Sequence, residues 1–335
     1  MNKKGFSLPL ILLAIAMVVG VFLVWFMLQN NTYKKVVVRL KWKAQAQFAG
    51  MFFAEESGFY SRNRLKTEFK EYDPKIDRVE EVSSGQSDFA ILSAEEYLKA
   101  VDGGKNIKAI AAIYQLSPYA IVSSENSKIE SPSDFKGKKL GMKGGNQEQE
   151  MFYRLLLSSA GLSEKDAQLV PRDFSTTEVE DLDSGDVDTV GVYRTSELYY
   201  FGKNNIPYSI IYPEQFGINI YNDILVTRKS LLDEDPELVK NFLQATVEGW
   251  ESVVKDNDGG IKATLKFATT DSYKDEEYEK FILTKSIPLI KSNPSTHIGS
   301  MTFANWNKLY TQMAELGLVK GNLDIEDLFT NDYLP

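Results

Sequence analysis

The sequence predicts an α/β protein of two coupled lobes joined by two crossover strands, preceded by one apolar N-terminal transmembrane helix. Three observations carry this reading. Near the start of the soluble part a β-branched run, a helical run and a second strand make a β-α-β unit. A short motif, S-G-x-x-D, occurs twice in equivalent contexts. The 335 residues also exceed the size at which a single core usually stops growing.

Taken in order, the first element is FSLPLILLAIAMVVGVFLVWFML, from Phe6 to Leu28, an uncharged run of 23 residues. At about 1.5 Å per residue it is long enough to cross a hydrocarbon core of about 30 Å. Secretory signal cores are shorter, roughly 7 to 15 apolar residues, and no A-x-A-like cleavage site follows, so an uncleaved anchor is expected, with residues 1–35 forming anchor and linker. Lys3 and Lys4 before the span are matched by Lys34 and Lys35 after it, which leaves its orientation weakly specified. After the polar linker QNNTYKK, the run VVVRLKW (Val36 to Trp42) reads as a buried strand. From Gln47 the pattern turns helical and runs to EESG, where Gly58 supplies a stop; LKTEFKEY is the next strand.

The repeat comprises Ser84-Gly85-Gln86-Ser87-Asp88 and Ser184-Gly185-Asp186-Val187-Asp188. In both, a polar helix end meets a glycine able to adopt positive φ, and an aspartate leads into an apolar strand. IKAIAAIYQLSPYAIVSS, between the copies, reads as two strands about a turn, and GINIYNDILVTR as a further long strand. A chain that leaves the first lobe near residue 122 and returns near 224 has two crossings, which make a hinge. The expected first lobe is 36–122 plus 224–335, and the second is 123–223. In DPELVKNFLQATVEGWESVVK, Asp235 fits an N-cap and Pro236 the first helical position, with Leu238, Phe242, Ala245 and Gly249 on one face.

Acidic residues outnumber basic ones 47 to 38, for a net charge of −9, which argues against nucleic acid and anionic membrane surfaces as partners. The chain has no cysteine, which removes disulfides, thiolate nucleophiles, cysteine-ligated metals and a lipoprotein anchor. Its single histidine, His297, is remote from any nucleophile motif, and no G-x-S-x-G elbow, Walker loop or H-E-x-x-H helix occurs. Acidic pairs such as Glu80-Glu81 and Glu95-Glu96 read as solvated faces. No enzymatic activity, cofactor or metal is therefore expected.

In open α/β sheets, ligands bind beyond the carboxyl ends of the strands. That rule nominates Trp42, Gln45, Gln47 and Phe48 after the first strand, and Ser93 and Ala94 after the strand of the first repeat. Tyr193 and Glu197 follow the strand of the second. Gly145, Asn146 and Gln147 in KGGNQEQE open a helix whose free N–H groups can receive a polar group. Asn219, Tyr221 and Asp223 lie on the returning segment. Aromatic faces mixed with amides and carboxylates suit a flat molecule with a polar rim.

These stretches, with SPSDFKGKKLGM, SGDVDTVGVYRTSE and FGINIYNDILVT, resemble the thiamine-pyrimidine (NMT1/THI5-like) family of type II periplasmic binding proteins over nearly the whole soluble part. The resemblance implies a two-lobed extracytoplasmic solute-binding protein of an ABC-type importer, tethered through residues 6–28 and partnered by permease and ATPase subunits. The implied ligand is a small planar heterocycle, similar to a thiamine-precursor pyrimidine. An alternative is a sensory ectodomain read by a membrane signalling partner. Trp42, Gly50, Glu197, Tyr221 and Asp223 match family positions, whereas Phe48 stands where many members carry histidine and Lys41 where aspartate is common. KKGFSLPLILL also resembles a type IV prepilin leader cut after Gly5, with Leu10 in place of the expected glutamate.

Overall fold

The computed structural model describes Met17 and residues 33–335 apart from Gly145, Pro294 and Thr296. The expected membrane span over 6–28 lies, but for Met17, outside the described residues, and no helix among the described residues is long and apolar enough to cross a membrane.

The described strands are β1 (Lys34–Arg39), β2 (Leu65–Lys70), β3 (Phe89–Leu92), β4 (Ile107–Tyr114), β5 (Tyr119–Ser124), β6 (Lys139–Lys143), β7 (Gln168–Arg172), β8 (Thr189–Tyr193), β9 (Tyr208–Ile211) and β10 (Asn222–Arg228). They form two five-stranded sheets, ordered β2-β1-β3-β10-β4 and β7-β6-β8-β5-β9. The antiparallel strand in each sheet is the one that has just crossed from the other: β10 pairs antiparallel with β3 and β4, and β5 with β8 and β9. Because all of β5 pairs in the second sheet, the first crossing falls at residues 115–118, before the boundary expected after 122. The second ends at Asn222, so Asn222 and Asp223 begin a strand of the first sheet.

The helices are α1 (Ala49–Glu56), α2 (Phe59–Arg62), α3 (Arg78–Ser83), α4 (Ala94–Asp102), α5 (Gln147–Ser159), α6 (Glu178–Asp183), α7 (Leu198–Lys203), α8 (Lys229–Glu234), α9 (Pro236–Lys255), α10 (Asn257–Phe267), α11 (Glu276–Ile290) and α12 (Phe303–Glu315). Local signals explain several boundaries. Gly58, at φ 72°, stops α1. The Asp235 carboxylate accepts the Leu238 N–H and opens α9, whose Leu238, Phe242, Ala245 and Gly249 are buried as the periodicity predicts. β1 ends at Arg39 rather than at Trp42: after Leu40 donates to the Lys70 carbonyl at 2.8 Å, the chain turns out of the sheet.

α1 and α9 approach closely because glycines face each other across the contact. A Cβ on Gly50 would lie 2.2 Å from the Trp250 ring, and one on Gly249 would lie 2.1 Å from the Gly50 carbonyl oxygen. This packing anchors the segment that leads from β1 into the cleft. A second apolar cluster runs through both sheets, from Leu92 and Tyr97 to Ile121, Phe152 and Leu156.

Candidate functional site

The site is assembled where both crossings and both sheets meet. Lys41, just past β1, is 7% exposed; its Nζ donates to Asn222 Oδ1 at 2.5 Å and lies 3.3 Å from Asp223 Oδ1. The same ammonium stands 5.4 Å from the centre of the Tyr193 ring, within the range of a cation–π contact. Asn222 Nδ2 donates to Ser117 Oγ on the first crossing at 3.2 Å and to Glu148 Oε1 of α5 at 2.8 Å. The Tyr193 hydroxyl donates to the other oxygen of Glu148. Gln47 Nε2 donates to both Asp223 oxygens at 2.9 Å, and Gln45 Nε2 to Gln47 Oε1 at 2.8 Å. A continuous polar network thus joins the first sheet's loop, both crossings and the second sheet.

The chain reaches this arrangement through an unusual backbone. Asp223 sits at φ 48°, a left-handed conformation uncommon for residues other than glycine. The Asn222 side chain accepts the Asp223 N–H at 2.7 Å and fixes the turn. Burial pushes the Asp223 carboxyl up, against the lowering pull of Lys41 and of the Gln47 hydrogen bond.

Above the network lies an aromatic rim. Trp42 is 43% exposed, stacks on Tyr72 with ring centres 5.4 Å apart, and donates its indole N–H to the Tyr273 hydroxyl at 3.0 Å. Tyr278 of α11 meets Tyr199 and Tyr200 of α7 at 5.1 and 5.8 Å, so the rim spans both lobes. Glu197, at the start of α7, accepts the Tyr193 N–H at 2.7 Å and the Ser196 hydroxyl at 2.8 Å; burial, followed by the nearby charge of Glu178, raises its carboxyl to about 7. Glu279 of α11 accepts the Ala46 N–H at 2.5 Å, and burial raises it to about 8.

The structure therefore brings together Trp42, Gln45, Gln47, Tyr193, Glu197 and Asp223 of the expected set. Other nominees are committed elsewhere. Phe48, expected to line the pocket, is a core residue, packed edge-on to Phe52, because the short helical turn Ala46–Phe48 points it inward. Ser93 caps α4 by accepting the Glu96 N–H, and Ala94 is buried in the apolar cluster. Asn146 caps α5 through the Gln149 N–H, and Gln147 is exposed, accepting from Lys99 at 2.8 Å. Asn219 is exposed between the buried Ile218 and Ile220, and the Tyr221 hydroxyl accepts the Thr302 N–H at the start of α12. Gly145 lies outside the described residues. Glu148 lies in the nominated KGGNQEQE stretch, and the network residues outside the nominated set are Lys41, Ser117 and Asn222. Of these, Lys41 alone carried a signal, a basic residue at the exit of the first strand.

A family model described as NMT1/THI5 like matches residues 45–259. The riboflavin-binding protein RibY of Chloroflexus aurantiacus is 24% identical over 311 residues, covering 91% of this chain and 87% of the relative. The 4-amino-5-hydroxymethyl-2-methylpyrimidine phosphate synthase of Legionella pneumophila is 23% identical, covering 92% and 95%. In three dimensions, the chain superposes on the periplasmic aliphatic sulphonate binding protein SsuA of Escherichia coli with a TM-score of 0.70 at 14% identity, over 89% of this chain and 92% of that one. That likeness shows the α/β periplasmic binding protein fold. With its family match extending over more than half its length, the chain belongs to the NMT1/THI5-like family.

Proposed function

We propose that this chain is the extracytoplasmic solute-binding component of an ABC-type importer, in which the two lobes close over a small planar heterocyclic ligand. The observation that carries the reading is the convergence in one cleft of Lys41 and Gln47 from the first lobe, Glu148 and Tyr193 from the second, and Asn222 and Asp223 where the chain crosses back. A cleft built this way is completed only when the lobes meet, so ligand capture and closure are coupled. Trp42 and the tyrosines beside it supply stacking faces, and the carboxylates and amides supply a polar rim.

Related proteins named for riboflavin and for a pyrimidine phosphate support a nitrogen heterocycle as the ligand class. Permease and ATPase chains would receive the loaded form. Anchoring through residues 6–28 rests on the apolar run in the sequence. We assign binding rather than synthesis, since the chain has no cysteine and its one histidine, His297, is exposed and lies outside the cleft network.

The test is a melting screen of the fragment from residue 31 onward against pyrimidines, flavins and sulfonates. A true ligand at a hundred times its Kd stabilises the folded state by about 2.7 kcal/mol. The expected result is a saturable shift with a heterocycle, lost in Trp42→Ala. A shift that survives Trp42→Ala would move the site elsewhere, and a shift given only by sulfonates would reject the ligand class.

A further inference from the structure

The lobes also touch away from the polar network, and there the contact is reciprocal. Phe281 of α11, a first-lobe helix, packs against the second lobe's apolar cluster around Leu198 and Phe201. Tyr199 of α7, a second-lobe helix, packs against the first lobe's cluster around Tyr278 and Leu283. Each lobe thus lends one ring to the other's core. The two rings meet edge to face with centres 5.6 Å apart, beside the contacts of Tyr278 with Tyr199 and Tyr200. Lys203 Nζ, at the end of α7, lies 4.0 Å from Asp275 Oδ2, whose carboxylate caps α11.

The position of this contact along α11 gives it leverage. The other end of the helix is bonded to the first crossing, where the Leu289 carbonyl accepts the N–H groups of Gln115 and Leu116 at 2.9 and 3.2 Å. Phe281 precedes Leu289 by eight residues, about 12 Å along the helix at 1.5 Å per residue. A turn of the lobes about their crossings holds the Leu289 end and draws the Phe281 end away from α7. Parting the two exposes both rings to water and forfeits the edge-to-face pair. The polar network runs instead through Lys41, Glu148, Tyr193 and Asn222, so the energy of this contact is separable from that of the cleft's donors and acceptors.

We propose that the contact between α7 and α11 is a closure latch: Tyr199 and Phe281 interlocked, with Lys203 and Asp275 beside them, set the fraction of molecules whose lobes are together, whatever molecule the cleft takes. The balance between open and closed forms is then tuned by residues outside the polar network. A ligand held by both lobes binds with an affinity scaled by that closed fraction, so loosening the latch weakens every such ligand by one common factor.

The chain has no cysteine, so Lys75→Cys and Ser175→Cys, on exposed loops that follow β2 and β7, place one spin label on each lobe. Double electron–electron resonance on the dialysed full-length chain in detergent reads the distance between them. The labelled parent should give one predominant distance. Phe281→Asp introduces a charge that water accepts in the open form and the second lobe's apolar cluster refuses in the closed one. The closed-to-open ratio should fall about a hundredfold or more, replacing the parental distance by a longer one. Phe281→Leu, which keeps an apolar side chain there, should keep the parental distance. The double variant Tyr200→Glu, Lys203→Glu sets two acids at exposed positions of α7 against Asp275 and should lower the ratio about tenfold.

Parental distances in both Phe281→Asp and the double variant would overturn the latch, as would a parent in which the longer distance already predominates. Should Phe281→Asp fail to fold, the double variant decides alone, because its substitutions are exposed; a parental distance there overturns the proposal. The measurement needs no ligand. Its failure leaves the solute-binding reading standing, and a failed ligand screen leaves the latch.

Discussion

The two lobes repeat each other, with the S-G-x-x-D motif recurring at an offset of one hundred residues, and the places where they stop matching are the places that face the cleft. Asp88 accepts the Val37 N–H at 2.8 Å, and Asp188 accepts the Lys139 N–H at 2.7 Å. Gly85 and Gly185 stand at φ 80° and 72°. Glu81 on α3 is held by Arg39 at 2.5 Å and Lys70 at 3.4 Å, from the ends of β1 and β2; Asp181 on α6 is held by Lys143 at 2.8 Å and Arg172 at 3.0 Å, from the ends of β6 and β7. Arginine and lysine have changed places between the two strands, yet the buried acid is matched in both. Beyond the strand ends the likeness fails: the first lobe continues into Lys41, Trp42 and Gln45, the second into the α5 helix with Glu148. The shared part builds the scaffold, and the divergent part builds the site.

This equivalence can be broken by experiment, and the largest effects should come from its buried ion pairs. Glu81→Ala and Asp181→Ala each strand basic partners in a buried setting and should cost about 3–5 kcal/mol, read by denaturant unfolding. Comparable losses would sustain the match, and a small loss at one would show that its lobe is held differently. Gly50→Ala should come next, at about 3 kcal/mol, because its Cβ would enter the Trp250 ring. Gly85→Ala and Gly185→Ala should cost about 1 kcal/mol each, since both demand positive φ.

A pH dependence is also expected, and it involves one carboxyl from each lobe. Glu197 and Glu279 are held above the usual 4.5, at about 7 and about 8, chiefly by burial. Between those values and 4.5 the folded protein keeps protons that the unfolded chain has released. Their stabilising contribution is therefore full below about 4.5 and is lost as pH rises through 7 to 8. Asp223, Glu95 and Glu178 are shifted in the same direction. The melting temperature of the ligand-free protein should fall between pH 5.5 and 8.5, and the double variant Glu197→Gln, Glu279→Gln should flatten that slope.

Much of the scaffold was legible in the sequence because its signals are local. Gly58, Asp235 and the two S-G-x-x-D motifs act through backbone conformation and capping, which depend on a few neighbouring residues. The site is less legible because its geometry turns on one backbone angle that spacing and composition do not record. Positive φ at Asp223 interrupts the extended chain beside Asn222, whose amide reaches Glu148. Phe48 was misplaced for a related reason: a phenyl ring at a helix entry faces core or cleft according to one turn of backbone, and composition carries no record of that turn. Lys41 stood out as a departure from the resembling family, yet its partner Asn222 is 181 positions away.

The exchange of crossing strands also sets an order of assembly. All five strands of the second sheet, β5 to β9, are contiguous in the chain, whereas the first sheet leaves a slot between β3 and β4 that only β10 fills. β4 is complete at Tyr114, but β10 does not begin until Asn222. During synthesis the first four strands must wait, with a central pair unbridged, while the whole second sheet is made. The lobe that begins first in the chain is therefore the one that finishes last, and its closing strand carries Asn222 and Asp223. The cleft and the first sheet are completed by the same event.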